Sequence, residues 1–304
     1  MATILLTGGA GFIGSHLADM YMAEGHRLII VDNLSTGKRE NVPDGAEFVH
    51  MDIEDPGLEQ VFKRFRPDVV NHHAAQVDVR KSMEDPAFDT RTNLFGTLNL
   101  LECCRHHPIR QFLFASSGGA IYGDDEPHPT PEDAIPHPMS VYGINKWCGE
   151  QLILSYAAEF GFIPTLLRYA NVYGLRQNPH GEAGVIAIFL DRLRQGRIPV
   201  IHGDGTKTRD YVFVADLAEI NRFLTWNPMA GPFNAGTGAA TSVNDLARAL
   251  LSALKMEADI PHGPDKPGEQ RVSVLDASKI LNLMKGFSFT PLTQGLKRTV
   301  QALS

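Results

Sequence analysis

The chain has 304 residues, 43% of them hydrophobic and 21% charged, which fits an ordinary globular protein and excludes a disordered, collagenous or coiled-coil sequence. Twenty-eight basic against thirty-five acidic residues leave a net charge of -7, which argues against nucleic acid as the main partner but leaves room for a small anionic ligand. No apolar run reaches the roughly 18 residues of a membrane span, and Met1 to Leu6 lacks the basic and long apolar regions of a signal peptide, so a cytoplasmic protein without a membrane partner is expected.

In chain order, Ile4 to Leu6, Leu28 to Val31, Phe48-Val49, Val69-Val70, Phe112 to Ala115 and Thr165 to Tyr169 are short apolar runs suited to strands. Between them Gly14 to Ala23, Leu58 to Phe65 and Phe88 to Cys104 carry apolar residues at helical spacing. The alternation predicts βαβ units on a parallel sheet, an α/β fold. From about residue 175 glycine- and proline-rich loops predict a smaller lobe, while Val212 to Ala218 and Phe233 to Gly236 are expected to return to the main sheet. Cys103, Cys104 and Cys148 have neither disulfide-framework nor zinc-ribbon spacing, and the twelve histidines form no His-x-x-x-His pair with a Glu, so no metal is expected.

Thr7-Gly8-Gly9-Ala10-Gly11-Phe12-Ile13-Gly14 follows the first strand and opens the first helix, the context in which a glycine pattern points to a dinucleotide. One glycine permits the tight turn, one lets backbone approach a pyrophosphate, and one lets helix and strand pack closely; the helix N-terminus offers free N–H groups to the anion. Asp32 ends the second strand, where a carboxylate accepts from the adenosine ribose and repels a 2′-phosphate, favouring NAD over NADP; Lys38 and Arg39 nearby pull the other way. Asp52 with Ile53 suits an adenine clamp, Ala74-Ala75 a close backbone approach, and Asn93 the next helix; each fits packing or capping equally well.

Tyr142 and Lys146 stand four apart, on one helical face. A free phenol titrates near about 10, and an ammonium nearby together with the positive nicotinamide ring of NAD favours phenolate, moving it towards a usable base at neutral pH. Tyr142 is thereby a candidate base for a hydroxyl proton while the carbon beneath gives hydride to NAD, with Lys146 also holding the nicotinamide ribose.

The chain resembles the extended short-chain dehydrogenase/reductase family, most closely its nucleotide-sugar epimerases, typified by the UDP-glucose 4-epimerases. The resemblance spans nearly the whole sequence. It rests on Thr7 to Gly14, Asp32-Asn33-Leu34-Ser35-Thr36-Gly37, Asp52-Ile53, Ser116-Ser117 with Ile121-Tyr122-Gly123, Tyr142 to Lys146, Leu167 to Gly174, Gly203 to Asp216 and Lys266-Pro267-Gly268-Glu269. It implies a doubly wound (Rossmann) NAD-binding domain over residues 1–175, with a returning segment near 206–236, and an interleaved C-terminal substrate-binding lobe over 176–304. NAD would be a retained cofactor, contacted also by Asn33, Ser35, Thr36, Gly37 and Tyr169. The reaction implied is oxidation of a UDP-sugar at C4, turnover of the 4-keto intermediate, and return of hydride to its other face.

In that family a Ser or Thr lies beside the sugar 4-hydroxyl, but here Gly118 occupies its place. Ser117 is the nearby hydroxyl, and it serves only if Gly118-Gly119 let the strand bend; direct proton transfer to Tyr142 or a water relay is the alternative. The Asp-Glu pair of the related 4,6-dehydratases is replaced by Gly119-Ala120. For the substrate the resemblance implies Asn171 and Arg209 on the diphosphate, Ala183 to Val185 near the base, Lys266 and Glu269 where the family often has Arg and Asp, and Ser273 at a position whose small size admits N-acetylated sugars. Phe88 to Arg105 and Ser140 to Phe160 resemble helices that pair in a homodimer. Two other readings stay open: another nucleotide-sugar oxidoreductase or dehydratase of the same family, and a non-catalytic NAD-sensing protein.

Overall fold

The computed structural model of the protein describes residues 1–124, 127–180, 184–265 and 270–303. Its first half runs β1 (Thr3–Thr7), α1 (Phe12–Ala23), β2 (Arg27–Asp32), β3 (Glu47–His50), α2 (Leu58–Phe65), β4 (Val69–His72), α3 (Val79–Glu84), α4 (Pro86–Thr90), a π-helical turn (Arg91–Phe95), α5 (Gly96–His106), β5 (Gln111–Ser117), α6 (Gly118–Ile121) and α7 (Val141–Phe160). It continues through β6 (Ile163–Tyr169), β7 (Asn171–Tyr173), α8 (Val185–Arg194), β8 (Ile201–His202), β9 (Thr208–Arg209), β10 (Tyr211–Phe213), α9 (Val214–Trp226) and β11 (Gly231–Ala235). The last elements are β12 (Thr241–Ser242), α10 (Val243–Leu254), β13 (His262–Gly263), β14 (Val272–Ser273), α11 (Ser278–Leu283) and α12 (Leu292–Gln301).

Two compact units divide the chain. The first comprises Met1–Ile121, Pro138–Arg168 and Ala218–Phe233. It carries the seven-stranded sheet in the order β11-β6-β5-β4-β1-β2-β3, parallel where β1 meets β2 and β4, β2 meets β3, and β4 meets β5. This is the parallel α/β sheet that the apolar runs predict, in the doubly wound Rossmann arrangement that the resemblance implies. The central strands are apolar on both faces because helices cover both faces: Ile4, Leu5, Leu6, Ile29, Ile30, Val69 and Val70 are fully buried. Leu5, Ile29, Phe62, Leu100, Phe112 and Leu166 join one core cluster.

Local chemistry sets the helix ends. Asp78 and Asp85 accept the first-turn N–H groups of Lys81 and Phe88, so α3 and α4 begin there. Ser140 accepts from Gly143 to start α7, and Gly161 at φ 78° ends it. The single helix expected over Phe88 to Cys104 is interrupted by the π turn, which buries Asn93; local π geometry of this kind often marks a functional site.

The second unit comprises Tyr122–His137, Tyr169–Leu217 and Asn234–Ser304. Parallel pair β7–β10, three-stranded sheet β12-β9-β14 and pair β8–β13 organise it. The division differs from the expected 1–175 and 176–304. Residues 122–137 cluster with the second unit because Tyr122 Oη donates to Asn234 Oδ1 at 2.9 Å and Thr130 exchanges backbone bonds with Val274 and Asp276. The returning segment is 218–233 rather than 206–236. Val212 to Ala218, expected to return to the main sheet, does not, since Tyr211 to Phe213 pairs with β7 in a separate sheet, whereas Phe233 does return, in β11.

Candidate active site

The glycine turn assigns a separate task to each glycine. Gly8 adopts φ +69°, and a Cβ there would lie 2.6 Å from Ala74 N, so the turn sits directly on the Ala74-Ala75 loop. A Cβ at Gly14 would lie 2.1 Å from Gly8 O, which makes this the close helix-to-turn packing point. At Gly11 a Cβ would meet only Gly8 O, at 3.2 Å, leaving open space above the turn. Gly11 also caps α1 without any side-chain bond, so the first-turn amides of Phe12, Ile13 and Gly14 face that space with no side-chain cap. An open turn over an uncapped helix N-terminus fits a dinucleotide pyrophosphate.

Gly14→Ala should therefore damage the fold and Gly11→Ala should not. We expect Gly14→Ala to lose about 1–3 kcal/mol through overpacking. Gly11→Ala should melt like the parent without cofactor yet carry far less NAD after purification. Calorimetry and chromatography of released nucleotide check the pair.

Asp32 is buried at the end of β2 and accepts Ala10 N at 2.9 Å and Leu34 N at 2.8 Å on different oxygens. Each oxygen keeps a lone pair for a ribose hydroxyl. A Cβ at Gly37 would sit 2.9 Å from the Ala10 carbonyl carbon, so Ser35, Thr36 and Gly37 fold back over the turn. Asn33 donates to Asp52 Oδ2 at 2.7 Å and accepts Ser35 N at 2.9 Å. Ile53 is buried, facing Gly96. Asn93 lies beside the Ala74-Ala75 loop but spends both amide N–H groups within the protein, on Gln76 O at 2.9 Å and Asp89 Oδ2 at 3.0 Å.

At the C-terminal end of β5 neighbouring serines take different partners. Ser116 Oγ donates to Glu150 Oε1 at 2.5 Å, while the Ser117 hydroxyl lies near the Tyr142 hydroxyl and favours its phenolate form. The strand stops at Ser117 and α6 begins at Gly118, so the backbone bends where the sequence requires it. Gly143 completes the approach: a Cβ there would lie 2.4 Å from Ala120 O. Tyr142 N donates to Ser82 Oγ at 3.1 Å. Lys146 Nζ donates to Ala115 O at 2.9 Å and lies 5.9 Å from the Tyr142 ring centroid.

Burial dominates the electrostatics of the pair in the protein alone. Burial, aided by the charge of Asp89, pushes the Tyr142 phenol up to about 12 against the opposing effect of Ser117, so Lys146 does not bring it towards neutrality in the protein alone. Burial likewise draws Lys146 down to about 8, partly offset by Asp89 and Glu150. His72 and His73, next to the Ala74-Ala75 loop, are pushed down by burial and by Lys146, His73 to about 3, so both are neutral at physiological pH.

The second unit gathers most of the residues proposed for the substrate. Ser273 in β14 is the register partner of Arg209 in β9, and Ser273 is buried while Arg209 is half-buried and donates to Thr208 O at 2.9 Å. Asn171 N donates to Asp210 O at 2.9 Å in the β7–β10 pair, and Val185 opens α8. Asp210, fully buried, accepts Thr237 N, Thr237 Oγ1, Gly238 N and Leu275 N, which fixes the backbone beside Arg209. Tyr169 is buried at the end of β6. Ala183, Lys266 and Glu269 lie outside the described residues.

Sequence reasoning missed Asp89, Asn145, Glu150 and Arg168, all buried. A signal existed for two of them: Arg168 is a charge inside an apolar strand, and Glu150 lies one helical turn beyond Lys146.

Comparison with known proteins shows the family. Residues 4–236 match the NAD dependent epimerase/dehydratase family. The chain is 42% identical over 301 residues to a putative UDP-glucose 4-epimerase of Methanocaldococcus jannaschii, covering 98% of this chain and 97% of the relative. The crystal structure of a Thermotoga maritima UDP-glucose 4-epimerase with UDP-glucose superposes with a TM-score of 0.94 at 44% identity, covering 99% and 98% of the two chains. A Thermus thermophilus UDP-glucose 4-epimerase in complex with NAD gives 0.91 at 40% identity, covering 98% of each. Matches of this extent place the chain in the NAD dependent epimerase/dehydratase family.

Proposed function

We propose that the chain interconverts UDP-hexoses at C4, UDP-glucose with UDP-galactose, and also their N-acetyl forms, with NAD retained between turnovers. Tyr142 beside Lys146 on α7, with Lys146 Nζ 5.9 Å from the Tyr142 ring and tied to Ala115 O at the end of β5, on the unit that carries the dinucleotide turn, is the observation that supports it most directly. Bound NAD supplies the hydride acceptor and a cationic ring whose charge favours phenolate at Tyr142. Tyr142 Oη takes the proton of the sugar 4-hydroxyl, with Ser117 Oγ as the bridging hydroxyl. Lys146 Nζ, anchored on Ala115 O, holds the nicotinamide ribose. Gly8, Gly11 and Gly14 seat the pyrophosphate and Asp32 the adenosine ribose.

In the second unit Arg209 grips the nucleotide diphosphate, since a guanidinium matches phosphate bidentately, and Asn171 and Val185 bind the same nucleotide. Ser273 at the Arg209 register leaves room for an N-acetyl group. Gly119 and Ala120 offer no acid or base for water elimination, which favours epimerisation over dehydration. The protein acts in the cytoplasm, as a homodimer formed through the π turn and α7, where Phe95 and Ile144 are exposed. No helix among the described residues is long and apolar enough to cross a membrane.

Incubation with UDP-galactose followed by separation of the UDP-sugars tests the reading. UDP-glucose should form with no net change in absorbance at 340 nm. No conversion of any UDP-hexose, acetylated or not, overturns it, and steady growth at 340 nm points to a released oxidised product instead.

A further inference from the structure

Asp89 is fully buried in α4 and accepts three side-chain N–H groups: Asn145 Nδ2 at 2.7 Å on Oδ1, and Gln76 Nε2 and Asn93 Nδ2 at 2.8 and 3.0 Å on Oδ2. The donors come from three places, the loop after β4, the π turn and α7. Gln76 N also donates to Asn93 Oδ1 at 2.9 Å, so the loop that follows Ala74-Ala75 is tied to the same carboxylate. On α7, Asn145 sits between Tyr142 and Lys146. All three donors are neutral amides. They satisfy the oxygens but do not compensate a charge taken out of water.

The other buried carboxylate near Lys146 is already balanced. Arg168 clasps Glu150 through Nε at 3.0 Å and a terminal nitrogen at 2.7 Å. What remains is one buried anion, Asp89, and one buried cation, Lys146, with no direct ion pair between them among the described residues.

We propose that Asp89 is a positioning residue for the Tyr142–Lys146 pair: through Asn145 it fixes the turn of α7 that carries both groups, and its charge balances the Lys146 ammonium inside the protein. The inference rests on the reading of Tyr142 and Lys146 as the reacting pair. It has consequences that do not depend on turnover.

Lys146 is faced from β5 by Ala115 O and the Phe114 ring, from α7 by Tyr142 and Glu150, from β6 by Arg168 through Glu150, from the end of β4 by His72 and from the loop after it by His73, and from α4 by Asp89. With both histidines neutral and Glu150 paired, Asp89 carries the uncompensated charge of this set. Burial already draws Lys146 down to about 8, and Asp89 opposes that fall. Removing its charge extends the fall, so the ammonium is lost at a lower pH.

The test is an NMR titration of Lys146 in protein isotopically labelled at lysine, assigned with Lys146→Arg, in the parent, Asp89→Asn and Asp89→Asn/Asn145→Asp. The double variant returns a carboxylate one side chain away, with the introduced amide donating to it. The midpoint should fall by about one pH unit or more in Asp89→Asn and return towards the parent value in the double variant. An unmoved midpoint in folded Asp89→Asn, or no recovery in the swap, overturns the proposal. Should Asp89→Asn alone fail to fold, the swap decides: a folded protein with the parent midpoint supports the proposal, and a displaced midpoint or a second failure to fold overturns it. In turnover, the alkaline limb of the kcat profile should move down with the lysine; a uniform loss at all pH values marks a structural effect and overturns the charge-balancing role. An inactive parent enzyme would strike the proposed function, and the titration would still decide the role of Asp89.

Discussion

Tyr142→Phe should lower UDP-galactose conversion by about 10²–10⁴-fold, the usual worth of a positioned general base, while leaving the melting temperature nearly unchanged. The two expectations separate because the hydroxyl has a chemical role and little structural one. Its hydroxyl neighbour is Ser117, which is half-buried and can turn to water. The ring remains to pack, and backbone Tyr142 N keeps its bond to Ser82 Oγ. In the protein alone burial holds the phenol up at about 12, so it is neutral at physiological pH and its basicity depends on the charge that NAD brings. Ser117→Ala decides how the proton travels. A relay through Ser117 Oγ requires a large loss, smaller than that of Tyr142→Phe; direct transfer or a water relay leaves the rate close to the parent. A Tyr142→Phe enzyme that keeps more than about a tenth of the parent kcat would remove Tyr142 from the role of base.

The dinucleotide half was readable because local chain chemistry determines it. Glycines at 8, 11 and 14 sit where sterics exclude side chains or where a ligand needs open space, and each requirement is local in sequence. The bend after Ser117 was readable for a similar reason, since Gly118-Gly119 mark it. The interleaving was not: Tyr122 and Thr130 join the second unit through Asn234, Val274 and Asp276, contacts more than a hundred positions away that leave no periodic trace. Asp89 was invisible on similar grounds. Its donors Gln76, Asn93 and Asn145 are ordinary polar residues until the fold turns them towards one carboxylate. The burial that raises the Tyr142 phenol was not legible either, because a spacing of four reveals a neighbour but not what surrounds the pair.

Arg168→Met should be the most damaging single change to stability away from the glycine turn. Glu150 is fully buried, and Arg168 provides both of its charged contacts, at 3.0 and 2.7 Å. With Arg168 removed, Ser116 Oγ remains as a hydrogen-bond donor to an anion that water does not reach. Breaking a buried pair from one side costs about 3–5 kcal/mol, which at about 2–4 °C per kcal/mol lowers the melting temperature by about 6–20 °C. Glu150→Met/Arg168→Met removes both charges and leaves only the Ser116 hydroxyl without its acceptor, so the double variant should melt above the single one. Equal or lower stability of the double variant would mean that the pair contributes through packing rather than through charge compensation. The single variant also acts on catalysis with a sign opposite to that of Asp89→Asn. An unpaired Glu150 carboxylate one turn from Lys146 strengthens its hold on a proton, so the Lys146 midpoint should rise from about 8 where Asp89→Asn makes it fall. Measured on the same lysine signal, opposite displacements would show that the two buried carboxylates set its charge together, one free to act on it and the other kept in check by Arg168.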